Sequence, residues 1–275
     1  MTQKNNSHIV TKTLAQTIIL GKMENSIIGI IPARIGSTRL PGKALQHING
    51  KPLIAYVIEA ALSSKRLDAV IVATDDNNIY KEAEKCGAIA VMTAPELPSG
   101  SDRIFNALQQ KGLMPTHVLN IQGDEIFITG NVLDELIAGF IKSEADCGTL
   151  ISKIDDKAEL FNPSVVKVSL KNNTFANYFS RHTIPFLRDV EKDEWLNSHT
   201  FYKHIGIYAY KYKVLEQFVA LPQSDNEKAE KLEQLRLLDN GYNIHCHETD
   251  AFLFGIDTPE DLKRAEEIIK NSGGA

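Results

Sequence analysis

Arg34, Arg39 and Lys43 place three cations on one short stretch, separated by Gly36, Ser37, Pro41 and Gly42. Three positive charges on a glycine-bearing loop suit a chain of phosphates: guanidinium groups bind oxyanions bidentately, and an ammonium acts as a point charge. Gly36 and Gly42 allow tight turns and a close backbone approach to a ligand, and Pro32 and Pro41 stiffen the segment. The pattern is neither the Walker A phosphate loop nor the glycine fingerprint of dinucleotide enzymes, which argues against nicotinamide-dependent redox chemistry.

Two aspartates offer the complementary chemistry. Asp124, in Gln122-Gly123-Asp124-Glu125, is expected at the tip of a strand. Asp257, in Gly255-Ile256-Asp257-Thr258, is expected between a short strand at 252–256 and a helix. Carboxylates at strand tips facing a phosphate loop suit Mg²⁺, which takes one or two carboxylates and completes its shell with phosphate oxygens and water. Cations and aspartates together predict a phosphate-binding site, in which function would rest on positioning and charge neutralisation. No Ser/His/Asp triad is required, and none is recognisable. His204 by itself reads more readily as structural than as a ligand group.

These residues need a rigid frame, and the first half of the chain supplies one. Apolar β-type runs at 27–31, 69–73, 89–92 and 117–121 alternate with helical patterns at 52–63, 77–86, 102–110 and 132–142. Gly87 suits the end of one helix, and Asp76 its start. Continuous apolar strands separated by helices predict an α/β fold with a central, mostly parallel mixed sheet covered on both faces. The 34–43 segment then leaves the C-terminal end of the first strand, where open α/β sheets bind ligands. The second half is less regular: strands at 165–170, 205–210 and 242–246, a charged helix at 227–238, and a C-terminal helix at 259–269. Thr258 is its expected N-cap, with Pro259 and Asp261 in the first turn. Residues 171–204 read as an arm or subdomain, 26–270 as the folded domain, and 271–275 as a tail.

Composition narrows the classes. The 275 residues are 43% apolar and 24% charged, with a net charge of −5, so a non-specific nucleic-acid binder is not expected. Cys86, Cys147 and Cys246 show no metal-ligand spacing and are expected as reduced thiols. No apolar run is long enough to span a bilayer, and a cytoplasmic protein without membrane contact is expected. Residues 1–25 carry Lys4, Lys12 and Lys22 and no signal-type apolar stretch. They are expected to be a poorly ordered extension, with Met23 a candidate start.

The run Pro32-Ala33-Arg34-Ile35-Gly36-Ser37-Thr38-Arg39-Leu40-Pro41-Gly42-Lys43 resembles the N-terminal signature of the CMP-Kdo synthetases, or 3-deoxy-manno-octulosonate cytidylyltransferases. The resemblance continues through Ala73-Thr74-Asp75-Asp76, Ser99-Gly100-Ser101-Asp102-Arg103 and Asn120-Ile121-Gln122-Gly123-Asp124-Glu125. Phe161-Asn162-Pro163, Tyr178-Phe179-Ser180-Arg181 and His204-Ile205-Gly206-Ile207-Tyr208 extend it. Leu232-Glu233-Gln234-Leu235-Arg236 and the segment from Gly255 to Leu262 complete it.

That resemblance implies a Rossmann-like nucleotidyltransferase (GT-A-like) fold with a smaller arm or dimerisation subdomain. It implies transfer of CMP from CTP to the anomeric hydroxyl of 3-deoxy-D-manno-octulosonate or its 8-amino-8-deoxy analogue, releasing pyrophosphate, in supply of lipopolysaccharide. Arg34, Lys43, Asp124 and Asp257 would be catalytic, with Mg²⁺ on Asp124 and Asp257. CTP would be held by Pro32, Ala33, Arg34, Gly36, Ser37, Arg39, Lys43, Asp75, Ser99, Gly100, Arg103 and Gln122. The acidic sugar would be held by Gln122, Arg181, His204, Tyr208, Glu233 and Gln234. Glu233 and Gln234 diverge by about 100° on one helix, so the helix must turn its end or a broad face to the ligand. Members are typically homodimers. The chain departs from the pattern at Ile126, where proline is usual, at Ala251-Phe252-Leu253-Phe254, and at Asp225-Asn226-Glu227-Lys228. A CMP-nonulosonate synthetase and a catalytically silent nucleotide-binding protein remain as alternatives.

Overall fold

A computed structural model describes residues 26–37 and 39–272 of the chain. The expected extension at 1–25, Thr38, and residues 273–275 lie outside the described residues. The chain divides into two compact units, one running up to Asp134 and resuming at Phe252, the other comprising Glu135–Ala251.

The first unit contains β1 (Ile27–Ala33), the two-residue strands β2 (His47–Ile48) and β3 (Lys51–Pro52), and α1 (Leu53–Ser63). It continues through β4 (Ala69–Thr74), α2 (Asn77–Cys86), β5 (Ile89–Met92), α3 (Gly100–Lys111) and β6 (His117–Asn120). The strand order β5-β4-β1-β6 is parallel throughout. β4 is buried at every position, as a strand covered on both faces must be. The chain proceeds from β1 to β4 to β5 on one side and then returns to place β6 on the other. The order therefore reverses between β1 and β6, and their C-terminal loops, 34–46 and 121–128, leave the sheet at that crevice. Asp76 caps α2 by accepting from Asn78 N and Ile79 N, and Gly87 closes it at φ 91°, both as expected.

α4 (Gly130–Ser143) carries the chain across the boundary between the units. The second unit contains β7 (Cys147–Lys153), α5 (Lys157–Phe161), β8 (Lys167–Lys171), β9 (Phe175–Ser180), α6 (Trp195–Ser198) and β10 (Tyr202–Lys211). It ends with α7 (Tyr212–Ala220), α8 (Asp225–Glu230), α9 (Gln234–Asp239) and β11 (Ile244–Glu248). Its strands lie in the order β10-β7-β11-β9-β8, and β8 also pairs with β10 at Tyr202↔Val168 and Lys203↔Lys167, which closes the ring. Only β11–β7 is parallel. The mostly parallel expectation therefore holds for the first unit and not for the second. The chain ends in α10 (Pro259–Ser272), again in the first unit.

Four sequence expectations need correction. The arm at 171–204 contains β9, which pairs with β8 along its length and with β11 at Phe175, so the excursion narrows to 181–201. That segment packs on its own cluster of Ile154, Leu160, Trp195 and Phe201. The helix at 227–238 is two helices, broken at Lys231 in the left-handed region at φ 55°. A Ser224–Glu227 capping box starts the first, and the buried Glu227–Arg236 pair, at 2.5 Å and 2.7 Å, fastens it to the second. Residues 252–256 form no strand. α10 runs to Ser272 and absorbs the start of the expected tail.

Candidate functional site

The loop after β1 is held at three points. Ile35 N donates to Asp75 Oδ1 at 2.9 Å. Leu40 is buried at 5% exposure, and its carbonyl accepts from Lys43 N. Gly42 takes φ 62° and launches a 3-10 turn at Lys43–Leu45, a conformation that favours glycine. Ser37 Oγ accepts from Leu40 N at 3.4 Å. Arg34, Gly36 and Arg39 stand exposed, and a Cβ added at Gly36 would meet nothing within 4 Å. The loop thus leaves Arg34 and Gly36 open to solvent.

Asp124 is not at a strand tip. β6 ends at Asn120, and Asp124 sits in a turn closed by Glu125 N donating to Gln122 O, followed at once by a second turn from Ile128 N to Glu125 O. Asp257 also follows no strand, and it immediately precedes α10. There Asp261 Oδ2 accepts from both Asp257 N and Thr258 N, and Thr258 Oγ1 accepts from Asp261 N. With the cap supplied by Thr258 and Asp261, as expected, the Asp257 carboxylate is left for the site. Ile256 N donates to Asp124 O at 3.2 Å and joins the two aspartate segments.

Lys43 is where they converge. Its Nζ lies 2.5 Å from Asp124 Oδ2 and 2.8 Å from Asp257 Oδ1, and Arg39 Nη2 lies 3.0 Å from Asp257 Oδ2. Burial alone would lower the Lys43 pKa; the two carboxylates, Asp124 first, outweigh it and raise it. Two carboxylates close enough to share one ammonium form an all-oxygen donor set of the kind a hard divalent cation takes. Among the described residues, no group of three His, Cys, Asp or Glu side chains is placed to hold a metal. Mg²⁺ on this pair would therefore complete its shell with phosphate oxygens and water.

Several residues expected at the nucleotide are engaged with their own chain. Arg103 is only 3% exposed; its Nη1 donates to Thr93 Oγ1 at 2.5 Å, and its Nη2 pairs with Asp75 Oδ2 at 3.5 Å. Asp75 in turn holds the loop through Ile35. Burial lowers the Arg103 pKa, Asp75 opposes that, and the neighbouring Arg34 adds to it. Ser99 caps α3, accepting from Asp102 N and donating to Asp102 Oδ2 at 2.7 Å. Gly100 brings the first turn of α3 against Pro32, whose Cγ would lie 3.5 Å from an added Cβ. Pro32 and Ala33 close β1, and Gln122 opens the Asp124 turn. Thr93 had no signal in the sequence.

In the second unit, β10 carries a bulge. Ile205 pairs with Leu150 and Tyr208 with Thr149, so Gly206 and Ile207 have no partner on β7. His204 and Tyr208 would stand about 13 Å apart on a regular strand. The bulge brings their rings to 5.3 Å. Thr149 fills it: its Oγ1 lies 2.9 Å from Ile207 O, 3.2 Å from Ile205 O and 3.0 Å from His204 Nε2. The carbonyls claim the single hydroxyl proton, so the imidazole donates from Nε2 and presents Nδ1 as an acceptor. Burial pulls His204 down to about 3 and keeps the ring neutral, and burial also raises Tyr208, with a smaller contribution from nearby Cys147 and Glu233.

Glu233 occupies the N-cap position of α9 and Gln234 its first turn, so the helix presents its end, as the adjacency of the two requires. Gln234 is 4% exposed, and its Nε2 is buried without a hydrogen-bond partner, the condition of a donor awaiting a ligand. Arg181 is different: Nε donates to Glu230 O at 2.7 Å, Nη1 to Pro163 O at 3.2 Å and Nη2 to Lys231 O at 3.5 Å. Nε and Nη2 thus bond carbonyls at the junction between α8 and α9, and Nη1 bonds the carbonyl of Pro163.

Comparison with known proteins places the chain in a family. A family model described as Cytidylyltransferase matches residues 28–244. A 3-deoxy-manno-octulosonate cytidylyltransferase of Cytophaga hutchinsonii is 48% identical over 87% of this chain and 96% of its own. The chain belongs to that cytidylyltransferase family. A relative from Shewanella baltica, an 8-amino-3,8-dideoxy-manno-octulosonate cytidylyltransferase, is 43% identical over 87% of this chain and 97% of its own. The solved structure of CMP:2-keto-3-deoxy-manno-octonic acid synthetase complexed with CTP is similar at a TM-score of 0.83 and 37% identity, covering 90% of this chain and all of that one. The α/β nucleotidyltransferase fold expected from the sequence is thereby shown, and so is the enzyme class. No helix among the described residues is long and apolar enough to cross a membrane.

Proposed function

We propose that the chain transfers CMP from CTP to the anomeric hydroxyl of a 3-deoxy-octulosonate, releasing pyrophosphate. The observation that carries this is the convergence of Asp124 and Asp257 on Lys43 beside an exposed cationic loop. Family membership supports both substrates.

Arg34, Arg39 and Lys43 bind the β- and γ-phosphates and neutralise the charge that collects on the leaving pyrophosphate. The Pro32-Ala33 backbone, braced by the Asp75–Arg103 pair, holds the cytidine. Asp124 and Asp257 would hold Mg²⁺, which supplies charge neutralisation at the phosphates and acidifies the attacking hydroxyl. Neutral His204, Tyr208, Glu233 and Gln234 orient the sugar's hydroxyls through directional hydrogen bonds. The new bond joins the anomeric oxygen to the α-phosphorus, the α–β bridge breaks, and no residue is covalently modified.

Self-association fits the second unit. Phe186 is 68% exposed beside a cleft of about 530 Å³ lined by Phe161 and Trp195 and by the charged Arg181, Lys192 and Glu230, a mixed surface suited to burial in a homodimer. Pyrophosphate release from CTP, followed across 3-deoxy-octulosonate, its 8-amino analogue and nonulosonates, tests the reading and fixes the C8 substituent. Release with an octulosonate, lost in Asp124→Asn, is expected. CTP binding with no release from any acid would overturn it in favour of a silent nucleotide-binding protein.

A further inference from the structure

The segments that carry two departures noted in the sequence, at Ile126 and at 251–254, meet in space. Phe127 lies in the second of the two turns that follow β6, and its ring is 5.5 Å edge-on from Phe252 and 6.4 Å from Phe254. Phe252 and Phe254 are 6.5 Å apart, which closes a triangle of rings. Arg264 of α10 places its guanidinium 4.8 Å above Phe254 and ties the triangle to the helix that Asp257 precedes.

The triangle sits where it can act on the aspartates. Phe127 is three residues beyond Asp124 in linked turns, and Phe254 three residues before Asp257. Ile126 and Ile256 are buried beside it, at 6% and 0% exposure. Gly255 passes so close to Glu125 that an added Cβ would lie 3.2 Å from Oε1. Neither segment has a strand to fix it, and a backbone bond joins them only at Ile256 N to Asp124 O. Phe252 remains 56% exposed, so its ring is held by Phe127 and Phe254 and not by burial in the core.

We propose that Phe127, Phe252 and Phe254 are positioning residues that clamp the two aspartate segments together and set the separation of the Asp124 and Asp257 carboxylates. The inference rests on the reading of that pair as the divalent-cation site. An aromatic triangle replaces the strand or proline that would otherwise stiffen these turns, and the metal affinity of the pair depends on it.

The test is Mn²⁺ binding to the intact, substrate-free protein, followed by electron paramagnetic resonance. The probe is compared in native protein, Phe252→Ala, Phe127→Leu, Phe127→Tyr and Asp124→Asn. Phe252→Ala and Phe127→Leu are expected to weaken Mn²⁺ binding about tenfold, as supporting-shell changes do. Phe127→Tyr, which keeps the ring, should bind as the native protein does. CTP affinity measured in EDTA should stay within twofold, because the loop after β1 is braced separately by Asp75. Unchanged Mn²⁺ binding in Phe252→Ala and Phe127→Leu, with binding lost in Asp124→Asn, would overturn the clamp alone. Unchanged binding in Asp124→Asn would overturn the metal reading beneath it. Because Phe252 is over half exposed, its alanine variant is expected to keep the native melting temperature within a few degrees, so a binding loss there is not a folding loss.

Discussion

Lys43 holds its ammonium between Asp124 and Asp257, 2.5 Å from one carboxylate and 2.8 Å from the other. Removing that charge leaves two carboxylates facing each other in a half-buried site, where like charges repel more strongly than in bulk water. Lys43→Met is therefore expected to melt earlier than the native protein without divalent ions and to gain more from added Mg²⁺. Turnover should fall by about 10²–10³-fold with the loss of a donor to the developing phosphate charge. Thermal scans with and without MgCl₂ check the first claim; equal Mg²⁺ gains in both proteins would contradict it.

Arg103→Met tests the brace under the loop. It strands the nearly buried Asp75 carboxylate with one remaining partner, Ile35 N. Breaking a buried pair from one side costs about 3–5 kcal/mol. Chemical denaturation should show a loss of that order. CTP should bind more weakly, because Asp75 no longer fixes the start of the 34–43 loop. A destabilised protein with native CTP affinity would show that the brace serves folding only.

The turn at Gly42 and the parallel layering were legible because each rests on local chemistry: Gly42 needs its positive φ, and β4 is apolar from Ala69 to Ala73. Asp124 and Asp257 were legible as a pair but not in place, since both lie in turns that tertiary contacts shape. β7 went unread because Gly148 and Thr149 interrupt its apolar run, yet Gly148 is what lets Phe140 pack there, with an added Cβ only 2.9 Å from the Phe140 Cβ. The break at Lys231 was hidden by continuous helical periodicity on both sides of it. Arg103 and Arg181 were legible as charges, but the hydroxyl and carbonyls they bond were not, because a sequence shows charge and not the groups that surround it.

Stability should fall on the acid side because of His204. Its ring titrates near 6.5 when unfolded and at about 3 when folded, with burial as the cause. Between those values the unfolded chain binds the extra proton, so stability is full above about pH 6.5 and declines as the pH drops toward 3. The slope from this one group approaches about 1.4 kcal/mol per pH unit. His245, lowered by burial and then by His247, acts in the same direction. Urea denaturation from pH 7.5 to 5 should show the decline, and His204→Phe should flatten it. An unchanged slope in that variant would assign the acid sensitivity elsewhere.

The bulge in β10 gives the last prediction. Thr149 Oγ1 is the one side-chain oxygen that holds the Ile205 and Ile207 carbonyls and the His204 ring at once. Thr149→Val keeps the shape and deletes those bonds, leaving buried acceptors unpaired at about 1–3 kcal/mol. His204 then loses the partner that fixes its tautomer, and the 5.3 Å approach to Tyr208 relaxes. The expected result is a rise of about tenfold in KM for the sugar acid, with KM for CTP unchanged, because the nucleotide loop belongs to the other unit. Steady-state kinetics with each substrate varied in turn decides it. A fall in kcat with both KM values native would show that the bulge does not shape the sugar site.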